Sequence, residues 1–327
     1  MRRRDFIALG AGAAVTWPLS AHAQPTKLPV IGYLGAATAE QWAGRLQAFR
    51  KGLSEAGYVE GKNVDIEYRW ADSHPERLGA LAADLVGHGV TAIVTPGSAP
   101  AALAVKQATS AIPVIFETGA DPVATGLVAS LNRPGGNLTG VTALSFELGP
   151  KRLEVLHEMV PTAKEMALLV NPAGPYAGRL TAEMLAAARA FNLQLHVVPV
   201  STDQDFDAAF ATIAQYRVGA LLTNPDPFLN SRSDQLAALT LRNRVPAALH
   251  FRAFADAGGL ISYGGSVPDS HRLLGVITGR VLKGEKPNDL PVMQATKVEL
   301  IINLRTAAAF GLTVPTALLA RADEVIE

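Results

Sequence analysis

The feature that most limits what this chain can fold into is a pattern that runs through it twice. Short apolar runs, several of them ending in Gly, Thr-Pro or Asn-Pro, are each followed by a longer stretch with helical spacing. In the first half the runs are 29–35 (PVIGYLG), 64–69 (VDIEYR), 90–94 (VTAIV) and 113–116 (PVIF). Trp42, Leu46, Phe49 and Leu53 recur at helical spacing ahead of Gly57, and 78–86 and 99–108 also read as helices. In the second half, strands at 167–170, 194–200, 220–223 and 247–250 alternate with helices at 181–191, 205–216 and 235–243. A strand that is apolar along its whole length is buried on both faces, which points to a parallel sheet covered by helices on each side. Two rounds of this predict an α/β chain of two doubly wound parallel-sheet lobes. The boundary falls near 132–142 (NRPGGNLTGVT), rich in Gly, Asn and Pro.

Composition narrows the function. The 327 residues are 49% apolar and 18% charged, which suits a well-buried core and argues against disorder. Lys plus Arg and Asp plus Glu both number 29. That balance argues against a nucleic-acid partner, whose phosphates call for a basic surface. The chain has no cysteine. Disulfides, thiolate zinc sites, a cysteine nucleophile and a lipid-modified N-terminal cysteine are therefore excluded. There is no G-x-S-x-G elbow, no phosphate-binding G-x-x-x-x-G-K-[ST] loop and no H-E-x-x-H. His74, His88, His157, His196, His250 and His271 include no pair at metal-ligand spacing, so neither metal nor cofactor is expected.

The N-terminus reads as an address. Arg2, Arg3 and Arg4 precede an apolar run from Phe6 to Leu19, and Ala21-His22-Ala23 forms a small-x-small cleavage pattern before Gln24. The run is shorter than the roughly 20 residues that span a bilayer. Arg3-Arg4-Asp5-Phe6-Ile7 resembles a twin-arginine export signal. Removal of residues 1–23 leaves a net charge of −2. The mature chain is expected in a periplasm.

Candidate site residues share one location. In open parallel sheets, ligands bind beyond the carboxyl ends of the strands, and helix N-termini there suit a carboxylate. Gly35 ends the first strand. Ser98 follows Gly97 at a helix start and reads either as an N-cap or as an anion contact. Asp121, before Pro122, reads as a cap or as a partner for a ligand ammonium group. Asn171-Pro172 and Asn224-Pro225 are corresponding turns of the second half. His250 ends a strand. Trp70, Tyr176, Phe228, Phe251 and Tyr263 fall near strand ends or the following loops, where several aromatics can frame a flat ligand.

Longer motifs carry a family resemblance. After PVIGYLG come FRKGLSEAGYVEGKNVDIEYRWA, AALAVKQATSAIPVIF, DPVATGLVASLNRPGGNLTGV and KRLEVLHEMVP, and the chain closes with GGLISYG, VLKGEKPNDLPV and LLARADEVI. In this order they resemble the ABC-transporter substrate-binding proteins, including tryptophan- and tyrosine-binding members, over nearly the whole mature chain. The resemblance implies a type I periplasmic-binding fold with three crossover strands, near Thr142-Ala143, Tyr263-Gly264 and Pro291-Val292. Lobe I would be 24–142 plus 264–290, and lobe II 143–263 plus 291–327. It implies a monomeric receptor that holds a small organic ligand, an aromatic amino acid or small aromatic carboxylate, between its lobes and docks on an inner-membrane ABC permease. Ser98, Asp121, Thr142, Asn171 and Asn224 map to the ligand's polar groups, with Gly35, Tyr176, His250 and Tyr263 completing the pocket. Two rivals are a ligand-sensing subunit for a membrane kinase and a periplasmic enzyme using Asp121 and His250.

Overall fold

The computed structural model describes residues 28–143, 147–174 and 176–327. The export segment expected at 1–23, with its cleavage site at Ala23-Gln24, lies outside them. The chain runs β1 (Val30–Gly35), α1 (Ala43–Glu55), β2 (Asp65–Trp70), α2 (Leu78–Gly87), β3 (Ala92–Thr95), α3 (Ala99–Ala108), β4 (Val114–Thr118) and β5 (Leu138–Ala143). It continues through α4 (Gly149–Met159), β6 (Glu165–Val170), α5 (Ala177–Ala190), β7 (Gln194–Pro199), α6 (Asp205–Gln215), β8 (Ala220–Thr223), α7 (Pro227–Ser231), α8 (Ser233–Arg242), β9 (Ala247–Leu249), α9 (Arg252–Asp256) and β10 (Ile261–Gly265). It ends with α10 (Val267–Leu282), β11 (Met293–Ala295), β12 (Val298–Asn303), α11 (Leu304–Phe310), α12 (Thr316–Arg321) and β13 (Glu324–Ile326).

The strands form two sheets, ordered β11-β5-β4-β3-β1-β2 and β13-β12-β10-β9-β8-β6-β7. Alternate side chains of the inner strands enter different cores. Ile31 and Tyr33 of β1 pack beneath α1 and α10, whereas Leu34 packs with Leu85, Ala102 and Phe116. In the second sheet Met166 and Leu168 face one core and Ala167 and Leu169 the other. Burial on both faces is why these runs lack the polar alternation of a half-exposed strand. The first sheet is parallel throughout, but β12 runs antiparallel to β10 in the second. The chain leaves the second sheet through β10 and comes back through β12, so these neighbours must point opposite ways.

The sheet pairings place two crossings later than the motifs suggested. Gly264 and Gly265 still pair with Glu299 and Val298, so the chain leaves the second sheet only at Ser266, the N-cap of α10. Gly264 belongs there for a steric reason: a Cβ would stand 2.1 Å from the His250 carbonyl oxygen. Met293–Ala295 pairs with Val141–Ala143, and Val292 packs in the first-sheet core. The last change of sheet thus falls at residues 296–297 rather than at 291–292.

The first lobe closes through α1 and α10, which cross at glycines. A Cβ on Gly52 would lie 1.8 Å from the Arg272 carbonyl oxygen, and one on Gly275 would lie 2.2 Å from that of Phe49. Backbone cannot yield as a side chain tip does, so each alanine must push the helices apart. Gly275→Ala should lower the free energy of unfolding by about 1–3 kcal/mol. Gly79→Ala in α2, where nothing lies within 4 Å of the added carbon, should be neutral or stabilising. Urea midpoints of the two variants make the comparison, and equal midpoints would refute the close-packing account.

Candidate functional site

A cavity of about 740 Å³ lies between the lobes, lined by helix and turn residues of the first and by strand, loop and helix residues of the second. One wall is a face of α1 and the turn before it: Gln41, Gly44, Arg45, Ala48 and Lys51. The opposite wall is His250 and Phe251 with the start of α9, and the crossing strands supply Ser262, Gly264 and Ile301. Phe251 lies just beyond β9, where a strand-end aromatic was expected. Trp70 and Phe228 serve packing instead. Trp70 stacks on Tyr68 and sits against Gly35, whose Cβ would approach its ring to 2.3 Å; Phe228 stacks on Phe206.

Arg45 links the walls. Its guanidinium lies 4.9 Å from the ring centre of Trp42 in the first lobe and 5.7 Å from that of Phe251 in the second. Trp42 is buried and meets His271 edge-on at 6.3 Å. The neighbouring Glu117 is also buried, and its Oε2 accepts the Gly97 N–H at 2.8 Å. His271 turns Nε2 toward that oxygen at 3.9 Å, and its Nδ1 contacts the Val267 carbonyl at 2.9 Å. Burial lowers the His271 pKa, partly offset by the Glu117 charge.

On the second lobe, Arg152 is 1% exposed. Its Nη1 donates to the Tyr263 carbonyl at 3.2 Å and its Nε has no partner among the described residues. Burial pulls its pKa down to about 10, which leaves it charged. His250 lies nearby, with Nδ1 unpartnered among the described residues. Burial first, and the Arg152 charge second, push the His250 pKa down to about 3. A histidine so placed is neutral at ordinary pH and a poor general base.

The other residues singled out from sequence sit around the strand ends. Ser98 caps α3, accepting the Ala101 N–H at 3.1 Å. Asp121 Oδ1 accepts the N–H groups of Val123 and Ala124, so this carboxylate spends hydrogen bonds on its own turn. Thr142 Oγ1 donates to the Ala120 carbonyl, which brings β5 and the Asp121 turn together. Asn171 Nδ2 faces the Asp226 carboxylate at 3.3–3.4 Å, and Asn224 Nδ2 donates to Thr181 at 3.3 Å. Tyr176, at the start of α5, lies 6.0 Å beneath the Arg179 guanidinium. Of the nine candidates, His250 is the one that lines the cavity, while Tyr263 sits between two lining residues, Ser262 and Gly264. Arg45, Glu117, Arg152 and Asp226 were not anticipated. The Pro on each side of Asp226 in Asn224-Pro-Asp-Pro227 was a usable signal for a capping carboxylate; it accepts the N–H groups of Phe228 and Leu229.

The family model described as ABC transporter substrate binding protein matches residues 42–326. A curated relative, the tyrosine-binding protein of Clostridioides difficile, is 26% identical over 267 residues, 81% of this chain and 76% of that protein. Among solved structures, a conserved domain protein from Vibrio cholerae superposes with a TM-score of 0.81 at 25% identity, covering 91% of this chain and 100% of the other. An ABC domain in complex with L-Trp from Streptococcus pneumonia gives 0.80 at 24% identity over 92% and 100%. The architecture is that of type I periplasmic binding proteins.

The buried histidine makes stability depend on pH. The unfolded chain protonates His250 below about pH 6.5, whereas the folded chain does so only near pH 3. Between these values the unfolded state holds the extra proton, so stability falls as pH falls, by up to about 1.4 kcal/mol per pH unit. His250→Gln should flatten that slope between pH 6.5 and 4, read as urea midpoints at several pH values. Parallel curves for the two proteins would mean that His250 takes up a proton while folded.

Proposed function

The chain belongs to the ABC transporter substrate-binding protein family, and on that premise we propose that it is the periplasmic receptor of an importer for an aromatic amino acid or a small aromatic carboxylate. The family consists of binding proteins and not enzymes. The observation that carries the ligand class is the inter-lobe cavity. At about 740 Å³ it falls within the 300–1,000 Å³ range usual for small-molecule pockets, and it carries an aromatic wall at Phe251 beside Arg45. The names of two relatives, a tyrosine-binding protein and a domain in complex with L-Trp, support the aromatic preference. The periplasmic placement draws on the basic, apolar and Ala-x-Ala segments before Gln24. No helix among the described residues is long and apolar enough to cross a membrane.

Ser98, Asp121, Thr142, Asn171 and Asn224 lie outside the cavity lining, and in this reading they meet the ligand's polar groups only once the lobes approach. The ligand favours the closed arrangement because it touches both lobes only there, so its differential affinity shifts the population. The inner-membrane permease then reads the paired lobe surfaces.

The test is a thermal-shift screen of the mature chain, unfolded and refolded to strip bound ligand, against amino acids, aromatic acids, branched acids and purines. A true ligand at one hundred times its Kd adds about 2.7 kcal/mol of stability. It should also reduce the radius of gyration in solution scattering and be recovered unaltered. Stabilisation by purines or aliphatic acids alone would remove the aromatic assignment, and an unchanged radius at saturation would count against closure.

A further inference from the structure

The charges lining the inter-lobe cavity are unequal in what they already hold. Its acids are Asp256 and Glu299, and each has a cation: Arg252 lies 3.2 Å from Asp256, and Lys297 lies 3.0 Å from Glu299. Arg252 is further spent on Glu324 at 2.7 Å. The remaining cations are Arg45 and Lys51, and neither has an ion pair within 4.0 Å among the described residues. Lys51 is exposed and keeps its water. Arg45 is half-buried, with its guanidinium carbon 4.9 Å from the ring centre of Trp42 and 5.7 Å from that of Phe251. Glu117 acts on it through the field but spends an oxygen on Gly97. Its five N–H donors, which lie along the edge of the guanidinium, have no hydrogen-bond acceptor among the described residues.

We infer that the inter-lobe cavity takes an organic carboxylate and that Arg45 binds it, edge-on, between Trp42 and Phe251. The planar fork of Arg matches the two oxygens of a carboxylate. The cavity is far larger than a carboxylate, and Ala48, Ala253, Val267 and Ile301 give the rest of the ligand apolar surface. An ammonium group finds no unpaired acid in the lining, so recognition rests on the acid end. The inference deepens the receptor reading above and rests on it.

Isothermal titration of the mature chain with three probes separates these features: L-tryptophan, indole-3-propionate, which lacks the ammonium group, and tryptamine, which lacks the carboxylate. The expected order places both acids ahead of tryptamine by about ten- to hundredfold, the range for a hydrogen bond to a charged group. Arg45→Gln should bring the acids down to the tryptamine level and leave tryptamine unchanged, and Arg45→Lys, which keeps the charge without the fork, should fall between. Thermal unfolding checks that the variants remain cooperatively folded. Tryptamine binding as tightly as the acids, or acids binding Arg45→Gln as they bind the parent, overturns the inference while leaving an aromatic receptor intact. The same titrations with leucine, isovalerate and isovaleramide cover the other case. Arg45-dependent binding of the aliphatic acids alone keeps the inference and removes the aromatic reading, and no binding by any acid overturns both.

Discussion

The contact between α1 and α10 sets the geometry on which the rest of this molecule depends. It joins a helix near the N-terminus to one more than two hundred residues later, and it does so at backbone distance, through Gly52 and Gly275. Because α10 follows β10 directly, the second lobe's sheet and the first lobe's helical layer are tied at a single turn, Ser266. The same α1 presents one face to the Tyr33 and Ile31 core and another, through Gly44, Arg45 and Ala48, to the cavity. Close packing on one side thus fixes where the cationic side is aimed.

Buried charge is distributed on both sides of the cavity in a way that suits binding better than turnover. The first lobe carries Glu117 beside His271, and the second carries Arg152 beside His250. Desolvation is the largest cause lowering the pKa of each histidine, with a cation adding to it: Arg152 at His250 and Arg45 at His271, where Glu117 opposes the shift. General acid–base chemistry needs a group whose pKa lies near the working pH and an orienting partner on its other nitrogen. His250 has neither, since its pKa is pushed down to about 3 and its Nδ1 is unpartnered among the described residues. Asp121, the other residue of the enzymatic alternative, is engaged by the N–H groups of Val123 and Ala124. A preformed field of fixed charges and neutral donors holds a ligand without transforming it.

Much of the fold was legible in the chain because it rests on local periodicity. The apolar runs 29–35, 90–94 and 220–223 announced buried strands, and Ser98 before Ala-Pro announced a helix start. What escaped has a common cause: it depends on partners distant in sequence. The three-residue strand Met293–Ala295 has no pattern of its own and gains a place only by pairing with β5. Arg152 in Lys-Arg-Leu-Glu reads as a surface cation and is instead enclosed under the crossing strand, where it meets the Tyr263 carbonyl. Arg45 lies beside the Trp42, Leu46, Phe49 stripe, on the flank that local reasoning assigns to solvent. Its surroundings are completed by Phe251, which only the second lobe can bring.

That arrangement bears on how the proposed receptor responds to its ligand. Arg45 belongs to the first lobe and Phe251 to the second, so their contact exists only while the lobes are near one another. A cation over an aromatic face is worth about 0.5–1 kcal/mol at an exposed site and about 2 when desolvated. That is enough to bias an open–closed equilibrium several-fold, but well short of the roughly 5.5 kcal/mol that moves it from 1:99 to 99:1. The balance must come from a ligand that adds contacts on both walls at once. In the proposed receptor, a carboxylate on Arg45 with an apolar body against Phe251 would do this by touching both walls at once. Under that proposal, ligand binding and the lobe contact would be coupled through one side chain.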